Sequence, residues 1–296
     1  MKPTGVLAAV VLMLVPLTAS AQEYVIKVKR PGLGDRSQVK SSGNSETEFK
    51  LVDSNGNAVM DKKETKTVKF VFLETGLERA ATGDDLVHVK RQYEHAERKV
   101  DGARQTLPYQ GKTLNIQKKN GTWVFEIEGD DVIYGKEAEE LTEEFVKGGA
   151  TKLVNDAFLP RKAVKVDDTW KLDVAPLARD FGKDGKIEVD ETKAKGSGKL
   201  LKVYQKNGKQ FGVFELTIEV PVTALVNDGN KTPTKEGKIT IKVERDGCID
   251  GTLEESAIKV HFDGEIKGDI NANGMDLSLA ISVHATAEEL RVPVTK

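Results

Sequence analysis

Apolar and polar residues alternate along most of the chain, which is the period of half-buried β-strands. The clearest run is Val213–Val226. There Phe214, Leu216, Ile218, Val220 and Val222 share one face, opposite Glu215, Thr217, Glu219 and Thr223. Pro221 removes one ladder donor from this run, so it predicts an edge strand or a bulge at that point. The same alternation predicts strands at Tyr24-Ile26-Val28, Val68-Phe70-Phe72, Ile239-Ile241-Val243, Ile258-Val260-Phe262 and Leu277-Leu279-Ile281-Val283. Two hairpins are signalled by Asn-Gly, whose residues tolerate the positive φ of a tight turn. Asn120-Gly121 separates Leu114-Ile116 from Trp123-Phe125-Ile127, and Asn207-Gly208 separates Leu201-Val203 from Phe211-Val213. Strands so close in sequence should pair antiparallel as a meander.

One stretch changes period. Residues 136–146 read KEAEELTEEFV, with Ala138, Leu141 and Phe145 at helical spacing and glutamates between them. This predicts an amphipathic helix. Gly148-Gly149 can stop or kink it, Leu153, Val154 and Phe158 can continue a buried turn, and Pro160 ends it. The expected architecture is mainly β: a large antiparallel sheet, barrel or half-barrel, with one helical segment near 136–158 covering an opening or a face. Segment 135–160 joins a half at 22–134 to a half at 161–296, and a two-lobed arrangement is the alternative.

Residues 1–21 have a different character. Lys2, an apolar run from Val6 to Leu17, and Ala19-Ser20-Ala21 make the three parts of a secretory signal peptide. The run is shorter than the roughly 20 residues of a membrane span. The expectation is an exported chain, periplasmic or extracellular, starting near Gln22, with no transmembrane anchor. Lys+Arg 45 against Asp+Glu 47 leaves a formal net charge of −2, which excludes the strong basic field of a nucleic-acid binder. Cys248 is the only cysteine, so no internal disulfide can form and the fold must hold by its core.

Pro160–Trp170 reads PRKAVKVDDTW. It is similar to a P-x-x-x-V-x-V-[GD]-D-x-W segment of an uncharacterised family of exported bacterial β-rich proteins. In that pattern an Asp-containing turn leads into a strand whose tryptophan packs inside, and Asp167 stands where glycine is expected. The resemblance implies a fold class and no activity. The general plan also resembles the half-barrels of periplasmic lipoprotein carriers, at the level of fold alone.

Sequence signatures of catalysis are absent: there is no G-x-S-x-G, H-E-x-x-H, Walker loop or G-x-G-x-x-G. His88, His95, His261 and His284 never fall at metal-ligand spacing within one element. An EF-type calcium loop is partly matched at Asp180–Glu191, where Asp180, Asp184, Glu188 and Glu191 supply positions 1, 5, 9 and 12 with Gly185 at 6. Gly182 at position 3 carries no oxygen, and the same residue types make ordinary β-turns. The expected cofactor is therefore none, with calcium as the exception to test. Asp269-Ile-Asn271-Ala-Asn273-Gly274 and Asp53-Ser-Asn55-Gly-Asn57 are weaker versions. The last strand carries Ser278, Ser282, His284 and Thr286 on a face of small, uncharged residues, which predicts a face packed beneath another element or lining a cavity.

These readings favour an exported non-catalytic protein that binds an apolar or amphipathic ligand, a small molecule or lipid, or a protein partner of the cell envelope. A structural scaffold without a ligand cavity is the first alternative. A hydrolase-like enzyme assembled from distant residues such as His88, Tyr93, Asp168 or His284 is the second. A dry pocket of about 300 Å³ or more favours the ligand binder.

Overall fold

The computed structural model describes residues 22–80, 86–130, 132–147, 156–183, 185–227, 229–272 and 275–294. Residues 1–21, Gly148-Gly149, Leu153, Val154, Asp184 and Asn273-Gly274 lie outside them.

Thirteen strands form a single antiparallel sheet that does not close, consistent with a half-barrel. The first half supplies β1 (Arg36–Asp53), β2 (Ala58–Arg79), β3 (Leu86–Val100), the short β4 (Ala103–Gln105), β5 (Thr113–Lys119) and β6 (Thr122–Ile127). Helix α1 (Gly135–Lys147) and a 3-10 turn at Asp156–Phe158 follow. The second half supplies β7 (Thr169–Lys171), α2 (Ala175–Gly182), β8 (Ile187–Val189), β9 (Lys195–Lys206), β10 (Lys209–Asn227), β11 (Asn230–Cys248), β12 (Ser256–Ala272) and β13 (Met275–Pro293). Across the sheet the order is β6-β5-β3-β2-β1-β13-β12-β11-β10-β9-β7, with β4 beside β3 and β8 beside β10.

Each half is a meander, and the two meet where β1 pairs with β13 from Ser37↔Pro293 to Asp53↔Leu277. That long-range pairing lets a local pattern of hairpins become one continuous sheet. Both predicted Asn-Gly turns form, with Asn120 and Asn207 each at φ 52. Pro221 lies at a register shift against β11 in a strand paired on both sides, so it marks a bulge and not an edge.

Alternation puts two cores on one face of the sheet, here called the inner face. The first contains Val39, Phe70, Phe72, Val89, Tyr93, Leu114, Ile116, Phe125 and Leu141. Leu141 and Ala138 bring α1 onto this core as expected, and Arg98 of β3 ion-pairs with Glu140 of the helix. The second contains Phe214, Leu216, Ile218, Val220, Ile239, Ile241, Val243, Ile258, Leu172 and Val174.

Tyr24–Val28 differs from the expected strand. It makes isolated bridges, Tyr24 to Val164 and Lys27 to Asp250, and buries Ile26 in the second core. Alternation there reflects a chain lying across packed side chains without a neighbour to complete a ladder.

Candidate binding pocket at Trp170

The pocket begins as a turn. Asp168 Oδ2 accepts from the Lys165 backbone N–H at 2.8 Å, and Asp167 takes φ 71 in the left-handed region. The positive φ explains why glycine suits position 167. The turn delivers Trp170 onto β7, opposite Gly198 of β9. A Cβ on Gly198 would overlap the indole, so the absent side chain is the ring's seat. The indole N–H donates to the Phe158 carbonyl at 2.9 Å, and the Phe214 ring lies 6.4 Å away, centroid to centroid. Trp170 is half-buried, whereas Leu172 and Val174 beyond it are fully inside the core. Its packed edge belongs to the core and the rest to a hollow.

That hollow has a volume of about 640 Å³ and opens to solvent. Leu159, Pro160, Val164, Trp170, Leu172 and Val174 give it an apolar lining. Arg161, Lys162 and Lys171 line it as well, with Asp173 as the acid, and all four are exposed. Between the two cores the inner face carries further half-buried apolar groups: Phe49, Phe262, Ile281 and Val283.

Charged residues occupy one end of the inner face. Glu74 of β2 accepts from Arg91 at 2.9 Å and from Arg291 at 2.7 Å, and Arg291 also donates to Glu289 at 3.2 Å. Burial pushes the Glu74 carboxyl up, but Arg291 and Arg91 outweigh it and hold it at about 2. Arg245 of β11 is buried beside the Phe214 ring, and burial pulls its guanidinium down to about 10. Sequence reading missed this group, although a signal was present. Glu74 follows Phe70 and Phe72 in phase, Arg245 follows Ile241 and Val243, and Arg291 continues the phase of Ile281 and Val283. A charge in the apolar phase of a strand is a buried charge in waiting.

Of the proposed calcium residues Asp184 lies outside the described residues, and the other three are each paired with a cation. Asp180 pairs with Lys183, Glu188 with Lys231, and Glu191 with Arg179 at 2.9 Å. Among the described residues no three His, Cys, Asp or Glu side chains come together as a metal site. The window opens inside α2, which holds Asp180, and reaches β8 at Glu188. Asp53 instead accepts from the Asn55 and Asn57 backbone in its hairpin turn.

Ser278, His284 and Thr286 are exposed and Ser282 is half-buried, on the face of β13 that turns away from Leu277 and Leu279. Among the described residues no other element covers that face at His284. The imidazole there meets Asp263 at 2.9 Å, and this hydrogen bond holds its pKa above the usual value. These residues were expected on a covered face because they are small and uncharged; their neighbours Asp263 and Glu46, supplied by adjacent strands, restore a polar surface. The distant residues considered for catalysis also stay apart. Tyr93 is packed between Phe72 and Tyr109 in the first core, with His88 half-buried further along β3. Asp168 is engaged in the turn before β7. Cys248 is buried and contacts Asp250 and Thr252.

No protein family and no curated protein matches the chain. Among solved structures it is similar to lipovitellin, in a study of lipid–protein interactions, at a TM-score of 0.36 and 8% identity over 90% of this chain. The chain spans about a quarter of that protein, 26% of its length. It is also similar to a mutant of Rh. blastica porin, at a TM-score of 0.15 and 9% identity, covering 86% of this chain and all of the porin. Among the described residues no helix is long and apolar enough to cross a membrane.

Proposed function

We propose that this is an exported, non-catalytic protein that binds an amphipathic ligand with an apolar body and an anionic head, seated in the Trp170 pocket. The observation that carries this reading is the pocket itself. Its volume of about 640 Å³ falls in the range of small-molecule sites, and its apolar lining meets three cations that make no ion pair among the described residues. An apolar chain gains by leaving water for Leu159, Leu172 and the indole. A carboxylate or phosphate head gains charge-assisted hydrogen bonds at Arg161, Lys162 or Lys171. Export is supported by the tripartite segment at residues 1–21.

Trp170 reports directly on this site. In a Trp123→Phe background it is the only tryptophan. Titration with palmitate should shift its emission to the blue and saturate, while hexadecanol, which lacks the charge, should bind more weakly. Emission unchanged by palmitate, or changed equally in a Leu159→Lys variant, would refute the site. Sequencing of the protein from its own host should find a start near Gln22; a start at Met1 would refute export.

A further inference from the structure

A second hollow lies beneath the stretch 28–31, at the charged end of the inner face and apart from the Trp170 pocket. It has a volume of about 20 Å³, room for one water molecule or one monatomic ion. Lys29, Arg30, Arg245 and Arg291 line it together with Ser256, and Glu254 is the acid among the lining residues. Arg245, Arg291 and Ser256 are 5%, 8% and 9% exposed, so the residues nearest the sheet are largely withdrawn from water.

Arg245 and Arg291 differ in one respect. Arg291 is matched by two carboxylates, Glu74 and Glu289. Arg245 has five N–H donors to satisfy and makes one long bond, to the Cys248 carbonyl at 3.5 Å. No carboxylate of the described residues lies within ion-pair distance of it. Its neighbour Asp246 points to the other face, where it accepts from the Tyr204 hydroxyl at 2.6 Å. Phe214 offers only a ring face, at 5.9 Å. A buried guanidinium without a counter-charge is costly, and partners are normally found for one.

We propose that the hollow is an anion site that holds a single chloride ion between Arg245, Arg291 and the Ser256 hydroxyl. The ion supplies the negative charge that Arg245 lacks among its neighbours. Size favours the smallest anions: the hollow has room for one halide ion. Position decides the consequence. The 28–31 stretch forms the lid, so the ion links the start of the mature chain to β11, β12 and β13 and stabilises only the folded state.

Thermal melts of the mature protein at constant ionic strength test this. Chloride and bromide should raise the melting temperature in a saturable way relative to gluconate. Arg245→Met, which keeps length and removes the charge, should fold and lose that dependence. Equal melting of the wild type in chloride and gluconate would mean that the hollow holds water, and would overturn the proposal. A halide dependence kept by Arg245→Met would also overturn it, by placing the ion elsewhere. Should Arg245→Met fail to fold, wild-type crystals soaked in bromide decide the matter. An anomalous peak within hydrogen-bond reach of Arg245 supports the site, and none in the hollow overturns it.

Discussion

The Trp170 indole fills the space that a side chain at Gly198 would need, and the two residues are register partners on β7 and β9. A single methyl group at 198 must therefore move the ring. Gly198→Ala should cost about 1–3 kcal/mol, as overpacking in a fixed site does. It should also abolish the palmitate-induced change in Trp170 emission, because the displaced ring no longer forms the pocket wall. Urea denaturation and the same fluorescence titration read both effects. A variant with wild-type stability and wild-type response would show that the indole does not need its seat.

Asp167 carries a strain that glycine would not. Its φ of 71 lies in the left-handed region, while its carboxylate meets Lys199 at 2.9 Å on the surface. An exposed ion pair is worth little, and the left-handed backbone costs an L-residue about 1 kcal/mol. Asp167→Gly should raise stability by up to about 1 kcal/mol, measured by chemical denaturation, with the larger unfolded-state entropy of glycine taking back part of it. Asp167→Ala loses the ion pair and keeps the strain, so it should be less stable than wild type. If glycine proved no better than alanine, the turn would not demand positive φ.

Strands with a full apolar face were legible at once. Phe214 to Val222 and the hairpins at Asn120 and Asn207 needed only alternation and turn chemistry. β1 was not legible, since its inner-face residues Ser37, Ser41, Gly43, Ser45 and Thr47 outnumber Val39, Phe49 and Leu51. It is a strand because β2 and β13 supply ladders on both sides, which no local pattern encodes. The short α2, eight residues with a proline in its first turn, was hidden by the Asp-rich reading of Asp180–Glu191. Of the pocket, Trp170 and the Asp turn were visible in the sequence. Its walls come from Leu159, Val174 and Ala194, and no spacing rule joins them.

Calcium makes a sharp test of the Asp180–Glu191 segment. Arg179 donates to both carboxylate oxygens of Glu191, at 3.1 and 3.3 Å from Nε and 2.9 Å from Nη2. The carboxylate that would close a calcium loop is thus already satisfied by a cation. Millimolar calcium should leave the melting curve of the protein unchanged, and chelator should do the same. A calcium-dependent rise that disappears in Glu191→Gln would show that the loop rearranges to bind the ion, because only binding to the native state stabilises it.

Glu74 and Arg291 join β2 to β13 across β1, 217 residues apart in sequence, and this pair should make the protein acid-sensitive. The Glu74 carboxyl is held at about 2, against its ordinary value of 4.5. A depressed pKa means that the folded state prefers the charged form. Its contribution is complete above the unfolded value and is lost as pH falls from about 4.5 towards 2. The difference corresponds to about 3 kcal/mol at neutral pH, to order of magnitude. Glu74→Gln should cost about 3–5 kcal/mol at pH 7, because it removes the carboxylate that the half-buried Arg91 and the buried Arg291 share. The gap between variant and wild type should then narrow as pH drops from about 4.5 towards 2, because Glu74 of the unfolded wild type takes up a proton there while the folded carboxylate is still charged. Urea unfolding at a series of pH values measures that gap. A gap that stayed constant between pH 7 and pH 3 would mean that Glu74 acts through its shape and packing, and that its charge is not what holds the two halves of the sheet together.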